Sequence, residues 1–194
     1  MIEADRLAIG FPGTVLRTAT FRIGPGLALV RGGDGRGKTT LLRTLAGAHP
    51  AQGGTLRRDA RTLWWADPVD PADDELTGRE RLARWRAAYP DWDAADEAAL
   101  VEGFALGEHL GKELFRLSAG TRRKLALAAA FASRADLVLL DLPFAALDAR
   151  SRALLGERLA RAAAARDRTV VVAEHEVPEA LAGLPLAATI DLGD

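Results

Sequence analysis

Eight residues near the start of the chain have the types and spacing of a phosphate-binding loop. Residues 32–39 read G-G-D-G-R-G-K-T and fit the pattern G-x-x-x-x-G-K-[ST]. The apolar run 27–30 precedes them as a strand, and residues 40–46 follow as the first turns of a helix. Glycines let successive backbone N–H groups point at phosphate oxygens, and the helix N-terminus adds its positive dipole end. The segment therefore predicts a polyphosphate site.

Two side chains of this loop have definite expected roles. We expect Lys38 to reach the β- and γ-phosphates and the Thr39 hydroxyl to coordinate Mg²⁺. The chain has only three lysines against 23 arginines, which argues against a chance match at the lysine position. The residues predicted to contact the ligand here are Gly32, Gly33, Asp34, Gly35, Arg36, Gly37, Lys38, Thr39 and Thr40.

A second acidic residue is predicted to serve the same metal. Asp141 ends the fully apolar strand 137–140. In proteins with a phosphate-binding loop, an acidic residue at the end of a neighbouring strand holds Mg²⁺, usually through water. The alternative is an aspartate that caps a helix or belongs to a loop.

Composition excludes several classes of function. The chain has 194 residues, a net charge of −1 and a pI of about 6.3, so we expect one domain (1–194) and no binding to nucleic acid. It has no cysteine, which excludes disulfides, thiolate catalysis and cysteine-based metal sites. We find no signal peptide and no apolar run approaching the ~20 residues that span a bilayer. The expected location is the cytoplasm.

The order of elements predicts an α/β fold built as a P-loop NTPase core. Its expected parts are a parallel-type sheet, a small antiparallel β subdomain and a helical subdomain inserted at about 70–133. The predicted strands are 3–8, 15–23, 27–31, 62–65, 137–140, 169–172 and 187–191. The predicted helices are 38–48, 75–88, 93–104, 120–133, 149–165 and a short one from 178, with a turn at 50–54.

With both motifs in place, the chain resembles the ATPases of ABC transporters over nearly its whole length. Residues 117–124, L-S-A-G-T-R-R-K, resemble that family's signature L-S-G-G-Q-x-x-R/K, and 145–148, A-A-L-D, resemble its D-loop S-A-L-D. His175 follows a strand where the family has its switch histidine. Phe11, in F-P-G, matches the early loop whose aromatic ring stacks on adenine. The motifs occur in the family's order and spacing.

The resemblance implies a function and a set of partners. It implies ATP and Mg²⁺ as ligands, with His175, Asp141 and Lys38 as the catalytic residues and His175 as the sensor of the γ-phosphate. It also implies a homodimer or heterodimer, in which Ser118 and Gly120 of one chain touch the ATP held by the other. Separate integral-membrane permease subunits would hold the pair at the cytoplasmic face of the membrane. Further positions carried over are Asp67, for Mg²⁺ and the attacking water, and Asp148 of the D-loop.

One departure from the family concerns catalysis directly. The family has D-E-P where this chain has Asp141-Leu142-Pro143, and leucine can neither accept a proton nor orient water. One interpretation is that the chain binds ATP but hydrolyses it poorly, as the degenerate half of a pair or as a trapped, engineered form. Another is that a residue such as Glu174 replaces the glutamate. Asp67 stands where the family has a glutamine, and an aspartate could still serve the metal but is shorter. Two milder departures are Ala119 for a glycine and Thr121 for a glutamine.

Alternatives in function and cargo remain open at this level. Residues 63–65, 75–77 and 141–144 look somewhat like the haem-exporter ATPase subunits of cytochrome c maturation, whereas 89–93 resembles small drug-exporter ATPases. Leu142 also suits an ATP-dependent dimerisation or regulatory module without turnover. The signature, the D-loop and His175 argue against a small-molecule kinase, and the lack of a heptad run argues against a DNA-repair ATPase.

Several other side chains receive structural interpretations. Four arginines, Arg79, Arg81, Arg84 and Arg86, are predicted to form a solvated helix face. Of Trp64 and Trp65, one is expected in the core.

Overall fold

A computed structural model describes residues 1–11, 13–66 and 73–193. Its strands are β1 (Ile2–Phe11), β2 (Thr14–Ile23), β3 (Gly26–Arg31), β4 (Gly53–Arg58), β5 (Leu63–Trp65), β6 (Leu137–Asp141), β7 (Thr169–Glu174) and β8 (Ala188–Asp191). Its α-helices are α1 (Lys38–Ala46), α2 (Gly78–Ala88), α3 (Ala94–Gly103), α4 (Ala119–Ala132) and α5 (Ala149–Ala165). Short 3₁₀ turns lie at Gly107–His109, Leu114–Arg116 and Glu179–Leu181.

The chain divides into two compact units. The first comprises Met1–Trp65, Asp136–Pro143 and Leu159–Asp194, and the second comprises Ala66–Ala135 and Phe144–Arg158. The first unit holds both sheets, and the second holds α2, α3, α4 and the first part of α5.

A five-stranded parallel sheet forms the centre of the first unit. The strand order is β5-β6-β7-β3-β8, and its register aligns Leu139 with Val171 and Val171 with Ala28. Because both faces are covered, the strands are apolar throughout, as the burial of all six residues of β7 illustrates. Parallel strands end at a common edge, so the loops after β3, β6 and β7 leave the sheet together.

The antiparallel sheet of the first unit has the order β2-β1-β4. The predicted turn at 50–54 is wrong in part, because Gly53 and Gly54 are the first residues of β4, which pairs with β1. Gly54 has a φ of 75°, and a Cβ there would lie 2.1 Å from the Arg6 carbonyl oxygen. The glycine pair therefore serves close approach of two strands at a bulge, which a sequence pattern cannot distinguish from a turn.

The core of the first unit places α1 against the parallel sheet. Leu41, Leu42 and Leu45 of this helix are fully buried in one cluster with Leu139 and Val171. Trp64 is also buried, as predicted for one of the two tryptophans, and Trp65 is half-buried against the cluster. This packing fixes the start of α1, where the phosphate-binding loop ends.

The second unit is helical, and its helix starts are set by side-chain caps. Helix α2 begins at Gly78, three residues later than predicted, because Thr77 and Glu80 form a reciprocal capping box. Asp93 caps α3 by accepting a hydrogen bond from the Asp96 N–H at 2.9 Å. These caps satisfy backbone donors that would otherwise be left unpaired at the helix ends.

The arginine-rich face of α2 is largely exposed, as predicted, since Arg79, Arg84 and Arg86 are exposed and Arg81 is half-buried. Arg81 and Arg84 both form ion pairs with Asp73, and Arg81 also lies over the Trp85 ring at 4.4 Å. Arg86 forms a bidentate pair with the buried Glu97. Three of the four arginines therefore hold this unit together.

The α/β fold class, with a parallel sheet, a small antiparallel sheet and helices, is confirmed. Within residues 1–11, 13–66 and 73–193, no helix is both long and apolar enough to cross a membrane.

Candidate nucleotide-binding site

The predicted phosphate-binding loop joins the end of β3 to the start of α1. Gly35 has a φ of 71° and Gly37 a φ of 93°, the left-handed region in which glycine is tolerated best. Gly37 is also the N-cap of α1, and a Cβ on it would lie 3.2 Å from Ile9 Cδ1. The glycine spacing of the motif thus has a local geometric cause. The loop curls tightly and its last turn lies against β1.

Lys38 is held by the loop to which it belongs. Its side chain is buried, with the residue 6% exposed, and Nζ donates to the carbonyl oxygens of Gly32 at 2.6 Å and Gly33 at 2.8 Å. The same Nζ lies 3.2 Å from Nδ1 of His175. A buried ammonium needs such partners because burial without them is costly. The loop thereby keeps this cation at the N-terminus of α1, where the helix dipole also favours an anion.

Thr39 and Asp141 meet directly. The Thr39 hydroxyl donates to Asp141 Oδ2 at 2.6 Å, which links the start of α1 to the end of β6. Both contribute oxygen donors, and Mg²⁺ prefers oxygen ligands. The described residues contain no cluster of three histidine, aspartate or glutamate side chains able to enclose a metal. This pair therefore fits a metal that takes its remaining ligands from phosphate and water.

His175 follows β7 and contacts two residues of the loop. Besides Lys38, its Nδ1 lies 3.4 Å from Asp34 Oδ1. The sequence predicted a role for each of these residues but not that they contact one another. No local sequence signal could have revealed this contact, because β3 and β7 become neighbours only through the sheet order.

The position after Asp141 is apolar and conformationally unusual. Leu142 has a φ of 46°, and its N–H donates to the Ala173 carbonyl oxygen at 2.9 Å. Glu174, the proposed substitute for the glutamate, is only 9% exposed at the end of β7, whereas the next residue, His175, is exposed. Glu174 is therefore buried inside the end of the strand, whereas His175 lies beyond it.

Phe11 lies at the end of β1 with its ring largely in solvent. It is 52% exposed, and its ring meets that of His49 edge-on at 5.7 Å between centroids. His49 is itself fixed by a 2.6 Å contact from Nε2 to the Gly10 carbonyl oxygen. The ring is therefore outside the core, which leaves its exposed surface free for stacking. The predicted contact at Asp67 lies outside the described residues.

The signature segment lies in the second unit and begins α4. Ser118 is the N-cap, and its Oγ accepts a hydrogen bond from the Thr121 N–H at 3.1 Å. A Cβ on Gly120 would lie 2.4 Å from the Ala146 carbonyl oxygen. Arg123 donates to the Ala145 carbonyl oxygen at 2.6 Å. The signature and the D-loop segment are therefore packed backbone to backbone, and glycine at position 120 permits that approach.

Asp148 is held by three hydrogen bonds in the same unit. Lys124 Nζ donates to its Oδ2, and the Ser151 N–H and hydroxyl donate to it at 2.9 and 3.1 Å. The Lys124 hydrogen bond, followed by that of the Ser151 backbone, holds the pKa of Asp148 far below its ordinary value. The carboxylate is therefore ionised at neutral pH.

Comparisons with known proteins agree with one another. The family model described as ABC transporter matches residues 16–145. The cytochrome c biogenesis ATP-binding export protein CcmA of Cereibacter sphaeroides is 40% identical over 146 residues, covering 74% of this chain and 68% of that protein. The aliphatic sulfonates import ATP-binding protein SsuB 2 of Agrobacterium fabrum is 33% identical over 190 residues, with coverages of 89% and 69%. A solved ABC transporter ATP-binding protein from Pyrococcus furiosus superimposes with a TM-score of 0.74 at 20% identity, covering 98% and 96%, which shows the fold alone.

Proposed function

The chain belongs to the ABC transporter family as an ATP-binding subunit, and from this membership we propose how it handles its nucleotide. It binds ATP together with Mg²⁺ at the loop 32–39 and hydrolyses it slowly. The observation that carries the proposal is the hydrogen bond between Thr39 and Asp141, beside a buried Lys38 at the N-terminus of α1. These contacts bring a cation, two oxygen ligands and backbone donors to the same strand ends.

Binding requires Lys38 to exchange partners. Its Nζ donates to two neutral carbonyls and contacts His175, and phosphate oxygens are the stronger acceptors because they carry charge. Thr39 and Asp141 would hold Mg²⁺, which neutralises charge on the β- and γ-phosphates when it is bound. The exposed ring of Phe11 supports stacking on the adenine.

We expect the hydrolysis step to be slow. The reaction needs a group that accepts a proton from the attacking water, and such a group contributes about 10²–10⁴-fold in rate. Leu142 supplies none, so we expect turnover to be reduced by a factor of that order. Lys38 and the backbone N–H groups still stabilise the developing charge, so a residual rate is expected.

The alternative is an ATP-dependent dimerisation module that does not turn over. Leu142 supports it, and so does the ordered signature, in which Ser118 and Gly120 are held by contacts of their own. In either case we propose a homodimer or heterodimer at the cytoplasmic face, where separate membrane permease subunits bind it. Co-purification of a membrane subunit with the tagged chain tests that assembly. If no membrane subunit co-purifies from detergent extracts of the host, the proposed assembly is contradicted.

The first experiment measures steady-state ATP hydrolysis by the chain and two variants. We expect Leu142→Glu to raise the rate about 100-fold or more, because it restores a proton acceptor. Leu142→Gln is the matched control, because glutamine has nearly the shape of glutamate but no basic carboxylate. We expect this variant to hydrolyse ATP at close to the parent rate. An ordinary rate in the unmodified chain would show that the carboxylate is supplied elsewhere. Glu174 and Asp67 would then be tested next.

A further inference from the structure

The segment that follows β8 lies against the first residues of the phosphate-binding loop. The Gly33 N–H donates to the carbonyl oxygen of Gly193 at 3.0 Å. A Cβ on Gly32 would lie 3.0 Å from that same oxygen and 3.0 Å from Cβ of Leu192. Glycine at position 32 therefore permits the close approach, and Gly193 forms part of the surroundings that hold the loop.

The hydrogen bond to Gly193 fixes the direction of a whole peptide group. The peptide between Gly32 and Gly33 is trans, so it is planar and its N–H and C=O point in opposite directions. With the N–H directed at Gly193, the Gly32 carbonyl points the other way, where it accepts a hydrogen bond from Lys38 Nζ at 2.6 Å. Gly193 and Lys38 thus hold the two ends of one peptide group, and rotation of that peptide would break both contacts.

Gly193 is held in turn by the side chain of Asp191, the last residue of β8. Asp191 Oδ1 accepts a hydrogen bond from the Gly193 N–H at 2.8 Å, and Oδ2 accepts two from the Arg31 guanidinium, at 3.0 and 2.5 Å. The Gly193 N–H, followed by Arg31, lowers the pKa of Asp191, so the carboxylate is ionised at neutral pH. Arg31 is the last residue of β3 and the register partner of Asp191. One carboxylate therefore joins the strand before the loop to the segment that contacts the loop.

We propose that Asp191 is a positioning residue for the phosphate-binding loop. The inference rests on the proposed function. Through Gly193, Asp191 fixes the peptide whose carbonyl holds Lys38, so the start of the loop is ordered before a nucleotide arrives. When Lys38 turns toward phosphate, the contacts of Asp191 and Gly193 persist, because neither residue is an expected ligand. Binding then does not have to order the loop, a cost that would otherwise weaken the affinity.

Asp136 offers a matched comparison in the same unit. It also accepts hydrogen bonds from backbone N–H groups, those of Arg61 at 2.8 Å and Thr62 at 3.2 Å, and these lower its pKa. Asp136 precedes β6, so it lies at the edge where the parallel strands begin, whereas the loop 32–39 lies at the edge where they end. Asp136→Ala therefore removes the same kind of interaction without touching the loop.

The first test is hydrogen exchange of the Gly33 amide, resolved by NMR and compared with the amides of β7. We expect slow exchange in the parent, both free and with Mg²⁺ and ATPγS, a slowly hydrolysed analogue. Asp191→Ala should speed the exchange about fivefold, as expected for the loss of one hydrogen bond. Asp191→Asn should keep most of the protection, because its amide oxygen still accepts from the Gly193 N–H. A Gly33 amide that exchanges in the parent as fast as an exposed one overturns the inference without any variant.

The second test is calorimetric titration with Mg²⁺ and ATPγS, combined with urea unfolding. Asp191→Ala should raise the Kd about fivefold, a moderate effect because the side chain is half-exposed. Asp191→Asn should stay close to the parent value. Asp136→Ala should lose stability to a similar extent but keep the parent Kd, which separates positioning from general stabilisation. An unchanged Kd in Asp191→Ala overturns this inference alone, whereas failure of the parent to bind ATPγS overturns the proposed function as well.

Discussion

The two units hold their predicted nucleotide contacts in different ways. In the first unit the groups predicted to bind the ligand contact one another, as Lys38 does with His175 and Thr39 with Asp141. In the second unit the predicted groups are held by neighbours without a predicted ligand role. Thr121 holds Ser118 in this way. Contacts of the first kind must be exchanged when phosphate and metal bind, whereas those of the second kind can persist.

This difference separates affinity from structure. A group whose contact is exchanged on binding stabilises the free protein through its first partner and the complex through its new partner. Its loss therefore changes ligand affinity more than stability. A contact that persists contributes mainly to the free energy of unfolding. Variants in the two units should consequently respond in different assays.

The largest expected effect is on nucleotide affinity, from Lys38→Met. The variant removes charge-assisted hydrogen bonds to phosphate, and we expect the Kd for ATP to rise about 100-fold or more, equivalent to roughly 2.8 kcal/mol. The free energy of unfolding should change little, because in the free protein the buried ammonium contacts two carbonyl oxygens and the His175 ring rather than a carboxylate. Calorimetric titration and urea unfolding measure the two quantities.

Lys112→Met is the matched control, because Lys112 is an exposed lysine of the second unit whose Nζ lies 3.4 Å from Nδ1 of His109. It should leave both quantities unchanged. If Lys38→Met lost stability but kept its affinity for ATP, the claim that contacts of the first unit affect affinity more than stability would be wrong.

The next effect belongs to the second unit and is on stability. Gly120→Ala puts a Cβ about 2.4 Å from the Ala146 carbonyl oxygen, so the backbone of α4 or of the D-loop segment must shift. Overpacking of this kind costs about 1–3 kcal/mol, which urea unfolding would measure. Gly107→Ala in the same unit is the control, because a Cβ there meets nothing within 4 Å. Equal stabilities of the two variants would contradict the close packing of the two segments.

The parts of the site that could be predicted are those written in one stretch of sequence. The loop 32–39 encodes its own geometry, because glycines at 35 and 37 take the left-handed conformation that the curl requires. The capping box of α2 was equally readable as T-x-x-E at residues 77–80. That box places the helix start at 78 instead of the predicted 75.

The parts that could not be predicted depend on the pairing of distant segments. The contact of Asp34 with His175 arises only because β7 lies beside β3. The pairing of β4 with β1 was hidden because a bulge glycine resembles a turn glycine. The ion pair between Arg86 and Glu97 joins two helices, so helical periodicity alone shows an arginine on a charged face.

The smallest expected effect sharpens the comparison through pH. Asp148 accepts hydrogen bonds from Lys124 and from Ser151 at the start of α5, and we expect Asp148→Ala to lower the free energy of unfolding by about 1 kcal/mol at pH 7. Asp148→Asn should cost only a few tenths of a kcal/mol, because an amide oxygen can still cap the helix and the pair with Lys124 is partly exposed.

The sign of the pH dependence follows from the pKa of Asp148, which folding lowers from about 3.8. Above that value the carboxylate is ionised in both states and its stabilisation is complete. As the pH falls below it, the unfolded chain takes up a proton before the folded one does, so this contribution to stability declines. The difference in unfolding free energy between the parent and Asp148→Ala should therefore be constant from pH 7 to about 5 and shrink toward pH 3.5. A difference that stayed constant to pH 3.5 would mean that the Lys124 and Ser151 contacts do not favour the ionised form. Asp148 would then not be an example of a group in the second unit that its neighbours hold in the ionised form, in contrast to the exchangeable contacts of the first unit.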